Sequence, residues 1–272
     1  MRILTIIFAL PFVVFAAEGD AQKKKHWTNE AELSAVQTDG NSQSGSLRAT
    51  NKYAYIKDRS KLIWQVRALR VETTKTTVTA TGTAEEPVFE ESDDTSVASE
   101  KLRTLLKYER TISERTSWFV SGSWEKDEPK GINNRSRVVL GVSNKWVKSK
   151  KLAFSTNYGA GYDREDLVNS GQKDFLAFDM GYEWMVKLTN GRFDQKLDGD
   201  LSEKDTEDWR LRLENDLTFD LNKTLATRLG IDVEYNNQPN IIKVDLIGTG
   251  QKVDYPLDEL DSQITAALVI NF

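Results

Sequence analysis

From Trp27 onward, apolar side chains recur at every second position. Between Trp209 and Leu221, one lane holds Trp209, Leu211, Leu213, Leu217, Phe219 and Leu221, broken only by Asn215; the other holds Arg210, Arg212, Glu214, Asp216, Thr218 and Asp220. A helix brings positions three and four apart onto one face and cannot sort residues this way, whereas a strand points successive side chains to opposite faces. The next segment repeats the pattern with Leu225, Leu229, Ile231, Val233 and Tyr235, and the last with Leu260, Ile264, Ala266, Leu268, Ile270 and Phe272. Extending the reading predicts about twelve strands, at 27–37, 45–56, 61–71, 99–110, 116–126, 134–147, 151–163, 173–187, 191–202, 207–221, 224–236 and 258–272. Most reach the roughly 9–11 residues a tilted strand needs to cross a bilayer, longer than the five or six or so usual in soluble sheets.

The connections alternate in length. Residues 57–60, 112–115, 148–150, 188–190 and 222–223 are tight turns; 38–44, 72–98, 127–133, 164–172, 203–206 and 237–257 are longer. Short turns at one end, longer loops at the other and an even strand count predict an all-β, single-domain, up-and-down antiparallel transmembrane barrel over residues 27–272. Both termini then lie at the short-turn end.

Alternation alone leaves open which lane faces inward, since a soluble barrel buries its apolar lane. Three features predict that the apolar lane faces lipid. Aromatics gather near strand ends: Tyr53, Tyr55, Trp64, Tyr108, Trp118, Trp146, Phe154, Trp184, Phe219 and Phe272 towards the short turns, and Trp124, Tyr162, Trp209 and Tyr235 towards the long loops. Two such girdles suit rings at two membrane interfaces. The lane is nearly free of charge at mid-strand, with Arg70 and Arg110 only at strand ends. The last segment, alternating up to Phe272, resembles the signal read by the bacterial barrel assembly machinery.

Met1 to Ala17 reads as a secretory leader, with Arg2 followed by the apolar run ILTIIFALPFVVFA, too short for a spanning helix. Cleavage is expected after Ala16 or Ala21, making residues 1–21 the signal peptide and 22–26 a polar lead-in on the periplasmic side. The expected address is the outer membrane of a Gram-negative bacterium, with lipid and lipopolysaccharide as neighbours.

Composition narrows the chemistry. The 272 residues carry 37 Lys and Arg against 42 Asp and Glu, a net charge of −5, which disfavours nucleic acid as a partner. Cysteine is absent and His26 is the single histidine, so disulfides, thiolate metal sites and paired-histidine metal sites are excluded. No metal or other cofactor is expected. His26 precedes the first strand, where no lumen serine is within its reach, so a Ser-His nucleophile is not expected. The acidic pairs Asp179 with Glu183 and Asp232 with Glu234 read as solvated or ion-paired strand positions rather than catalytic ones.

Several stretches carry a family resemblance: WTNEAELSAVQTDGNSQSGSLRATNKYAY with its Gly40-Asn41 turn, WFVSGSWEKDEPKGINNRSRVVLGVSNKW, and LAFSTNYGAGYDRED. Together they resemble the family of salt-induced outer-membrane proteins, YdiY-like and catalogued as domain of unknown function 481. The resemblance implies an outer-membrane barrel and supplies no biochemical activity.

The polar lane is expected to form a charged lumen. A basic wall would present Arg48, Lys52, Lys61, Arg67, Lys101, Arg103, Lys107, Arg135, Arg137 and Lys145. The facing acidic wall would present Asp179, Glu183, Asp194, Asp198, Asp200, Glu214, Asp216, Asp220, Asp232, Glu234, Asp261, Glu30 and Glu32. Such a field favours a narrow passive pore for ions or small polar solutes, with Arg48, Arg67, Arg103 and Arg137 facing Asp179, Asp198, Asp216 and Asp232 as the selecting groups. The alternative is that the charges pair and fill the barrel, giving a non-conducting structural or osmotic-stress protein. A soluble exported ligand-binding barrel is the third reading. Residues 72–98, with Glu85, Glu86, Glu90, Glu91, Asp93 and Asp94, match no defined cation loop and are expected as a solvated segment or a lumen constriction. Residues 237–257 suggest a surface hairpin.

Overall fold

The computed structural model describes residues 26–38, 43–82, 87–127, 130–168, 171–246 and 251–272. The leader and the glutamates Glu85 and Glu86 lie outside the described residues. Those described form fourteen strands: β1 (Trp27–Thr38), β2 (Gln43–Lys57), β3 (Ser60–Gly82), β4 (Pro87–Thr111), β5 (Thr116–Asp127), β6 (Ile132–Lys148), β7 (Leu152–Leu167), β8 (Gly171–Leu188), β9 (Gly191–Ser202), β10 (Trp209–Asp220), β11 (Leu225–Asn236), β12 (Ile241–Leu246), β13 (Gln251–Pro256) and β14 (Leu260–Asn271). Twelve close an antiparallel barrel in the order β1-β14-β11-β10-β9-β8-β7-β6-β5-β4-β3-β2, and β12 pairs with β13 as a separate hairpin. The twelve barrel strands are those the alternation predicts, and β12 and β13 pair within the region suggested as a surface hairpin.

One expectation is corrected. Residues 72–82 and 87–98 are strand rather than loop: past a register shift at Val71/Glu72, the β3·β4 ladder continues from Glu72↔Val97 to Gly82↔Pro87. The threonine-rich run TTKTTVTAT suits a pleated strand, but it has no apolar lane to reveal it.

The lanes face as predicted. Side chains at mid-strand on the outer surface are apolar and open, among them Leu140, Phe178, Met180 and Leu229, while Glu109, Asp163, Glu165, Glu214 and Arg228 are buried within the ring. Trp64, Trp146, Trp184, Tyr55 and Phe272 stand exposed near the short-turn end. Trp209 stacks on Tyr235 at the other end, their ring centroids 5.0 Å apart. Trp118 meets Tyr108 edge-on at 5.5 Å, and Tyr53 stacks on Trp27 at 6.3 Å. Trp124 is half-buried opposite Thr104 in the β4·β5 ladder.

The ring closes unevenly. β1 and β2 share twelve residue pairs, from Trp27↔Tyr55 to Thr38↔Ser44, whereas β1 and β14 share four, from Glu30↔Asn271 to Leu33↔Leu268.

The tightest backbone approach is at the β8·β9 turn. Gly191 has φ 155°, and a Cβ there would lie 2.0 Å from the carbonyl oxygen of Thr218 on β10. Gly191→Ala is expected to destabilise the barrel by about 2 kcal/mol or more, since both the backbone and its neighbour must move. Urea unfolding of refolded protein in detergent, followed by tryptophan fluorescence, measures it; an unchanged midpoint would mean the turn relaxes freely.

Candidate functional site

The polar lane encloses a cavity of about 820 Å³ whose lining runs from Arg192 and Met185 near the short turns to Asn240, Leu257 and Asp261 near the long loops. Of the ten basic-wall positions singled out above, Lys101 and Lys145 are drawn onto Asp127 and Glu109, whereas Arg48, Lys52, Lys61, Arg67, Arg103, Lys107, Arg135 and Arg137 line it. So do Asp179, Glu183, Asp194, Asp198, Asp216, Asp232 and Glu234 from the acidic wall. Strand pleat explains this: each sits on the lane opposite the apolar one.

Most of these charges are engaged. Arg67 of β3 forks onto Glu214 of β10, with Nη1 2.6 Å from Oε1 and Nη2 2.9 Å from Oε2. By the strand order, β3 and β10 stand five steps apart in a ring of twelve, where six would be diametric, so the pair is a strut across the lumen. Near it, Glu125 lies 4.0 Å from Arg103 and 3.9 Å from Arg212.

Towards the long loops, Arg137 gathers Asp163, Asp179 and Asp200 at 3.5, 2.8 and 2.9 Å. Glu165, fully buried, takes Arg135 at 2.8 Å and Arg210 at 2.5 Å. The β5–β6 connection and the segment after β11 cross the mouth: Asn240 Nδ2 donates to the Gly131 carbonyl at 3.1 Å, and Lys130 bridges Glu234 and Asp261. Asp198 pairs with Lys196 on its own strand. Asp194 takes Arg192 at 2.6 Å.

Two arginines stitch the short β1·β14 seam from inside. Arg228 of β11 reaches past β14 to Glu30 and Glu32 of β1, at 2.7 and 2.8 Å. Arg48 of β2 reaches past β1, donating to Thr265 Oγ1 of β14 at 2.5 Å and to Asp232 of β11 at 3.1 Å.

His26 stands exposed at the short-turn end with Nδ1 3.2 Å from the Ile56 carbonyl oxygen, and Asp179, Asp232 and Glu234 are occupied by arginines. Among the described residues no cluster of metal-ligating side chains occurs.

The sequence reading missed Asp163, Glu165 and Asp208 as lumen groups, because the polar runs after Tyr162 and before Trp209 occupy both lanes and erase the alternation. It also missed an apolar lumen strip, Ile63, Leu105, Phe119 and Val139. The run Trp118-Phe119-Val120 hides Phe119; its signal is Gly141, whose missing Cβ leaves room for the Phe119 ring, 2.5 Å from where that atom would be.

Residues 31–246 match the family model described as protein of unknown function, DUF481. The chain belongs to that family. No curated relative matches the DUF481 chain. Among solved structures, the NanC porin shares 7% identity over 89% of this chain and 98% of its own, with a TM-score of 0.43. The translocator domain of the autotransporter NalP from Neisseria meningitidis shares 6% over 93% and 90%, also at 0.43. The KdgM porin shares 7% over 90% and 96%, at 0.38.

Proposed function

We propose that this DUF481 protein resides in the bacterial outer membrane, exported by its leader, and offers a narrow water-filled path for ions or small polar solutes. Its neighbours would be lipid and lipopolysaccharide, and its Phe272 segment would present it to the assembly machinery. The observation carrying this reading is the cavity of about 820 Å³, lined by charge along the barrel and wrapped in an apolar exterior. Uncovered apolar surface of that extent is expensive in water and favourable in hydrocarbon. A polar interior lets solutes cross without meeting lipid. Most lumen carboxylates are held by arginines and lysines, which suits a passage rather than catalysis.

The strut Arg67–Glu214 favours a second reading, a barrel closed at mid-height that serves as a structural or salt-stress component. Planar bilayers separate the two. Refolded protein is expected to give small, steady single-channel steps, and Arg103→Gln with Arg137→Gln to shift ion preference towards cations by leaving carboxylates in excess. Protein that is folded by heat-dependent gel migration yet gives no steps would leave the closed barrel; steps with unaltered preference would remove the arginines as selecting groups.

A further inference from the structure

The ion pairs leave a remainder. Lys52 of β2, Lys61 of β3 and Lys107 of β4 line the cavity in its short-turn half, and among the described residues none is within ion-pair distance of a carboxylate. Their nearest acidic neighbours are largely engaged. Glu109 is taken by Lys145 at 3.0 Å, and Glu30 by Arg228 and Arg192 at 2.7 and 3.2 Å. Glu183 is within electrostatic reach of all three lysines without touching them. Three ammonium groups that touch no carboxylate leave a local surplus of uncommitted hydrogen-bond donors in an otherwise ion-paired lumen.

Beside that surplus lies the apolar strip. In register, Ile63 faces Lys107, Leu105 faces Gln65, and Val139 faces Ser121, all on the lumen lane. Phe119 is almost wholly buried, seated over Gly141, with the Lys107 ammonium 4.3 Å from its ring centroid. Apolar side chains are an unexpected choice for a water-filled wall, where serines or threonines would keep their hydration, so the strip and the free lysines call for one occupant that satisfies both.

We propose that this face of β2 to β6 binds small organic carboxylates with an apolar body, the carboxylate among Lys52, Lys61 and Lys107 and the hydrocarbon against Ile63, Leu105 and Phe119. The proposal deepens the reading of the interior as a solute path. A space of about 820 Å³ is of the size that holds small ligands. Ammonium-carboxylate hydrogen bonds are charge-assisted, and the strip rewards the part of the ligand that water does not.

Equilibrium dialysis of radiolabelled benzoate against the full-length protein in lipid nanodiscs, with empty nanodiscs as blank, tests it. Benzoate should bind more tightly than acetate, which lacks the apolar body, and than benzyl alcohol, which lacks the charge. Lys61→Gln with Lys107→Gln should weaken benzoate roughly tenfold, about the loss of one charge-assisted contact. Lys61→Arg with Lys107→Arg, which keeps the charge, should retain it and controls for folding. Leu105→Asn should narrow the margin of benzoate over acetate. Benzoate held no better than acetate, or held equally by the Gln and Arg variants, overturns the site. Conductance of the same preparations keeps the two proposals apart: binding without conduction defeats only the path, and conduction without binding defeats only the site.

Discussion

Leu140→Arg is expected to destabilise the protein by about 2–4 kcal/mol in lipid vesicles, the depth-dependent penalty for a cation on the lipid face of a barrel. Leu140 lies at the centre of β6, paired between Val120 and Ala160, and is 63% exposed on the outer surface. The same change at Ile112, equally open at 59% but in the short β4–β5 turn, should cost about 0–1 kcal/mol, because the side chain reaches the polar interface. Denaturant unfolding from vesicles compares the two. In water an exposed arginine is harmless at either place, so equal small effects would mean that the apolar exterior does not face hydrocarbon, and the membrane reading would go with it.

The second large effect concerns the cross-lumen strut. Removing Arg67 leaves Glu214, 11% exposed, without its bidentate partner and beside Asp216 and Asp232. An exposed ion pair contributes about 0–1 kcal/mol, whereas breaking a buried one costs about 3–5, so Arg67→Ser in this half-hydrated site should cost about 2 kcal/mol. Adding Glu214→Ser should recover part of that loss, since no charge then lacks a partner. Both variants should conduct better than the parent, the double variant most, because the pair that crosses the passage is gone. Losses that simply add, with unaltered conductance, would show that the two residues neither couple nor obstruct.

The barrel was legible because its two lanes differ in polarity: along β10 and β11 the outward lane is apolar and the inward lane carries the charges. The same physics explains the misses. Where the sequence is polar on both lanes, the pairing of residues 73–81 with the partner strand leaves no trace in polarity, and Glu165 looks like a loop residue although it is buried in the ring. Within the lumen the sequence announces basic strands and acidic strands, but not who pairs with whom. Arg67 and Glu214 are 147 residues apart, and their meeting depends on the number of strands between them. The lysines left over could be found only by subtraction, after each arginine had been assigned its carboxylate.

The four-pair junction between the first and last strands gives the interior charges a second duty. Elsewhere the wall is sewn by eleven or more backbone pairs per junction, but here Arg228 and Arg48 reinforce a hem too brief to hold alone. Altering those guanidinium groups would therefore also loosen the cylinder, a cost that changes at Lys52, Lys61 and Lys107, which fasten no strand to another by an ion pair among the described residues, do not carry.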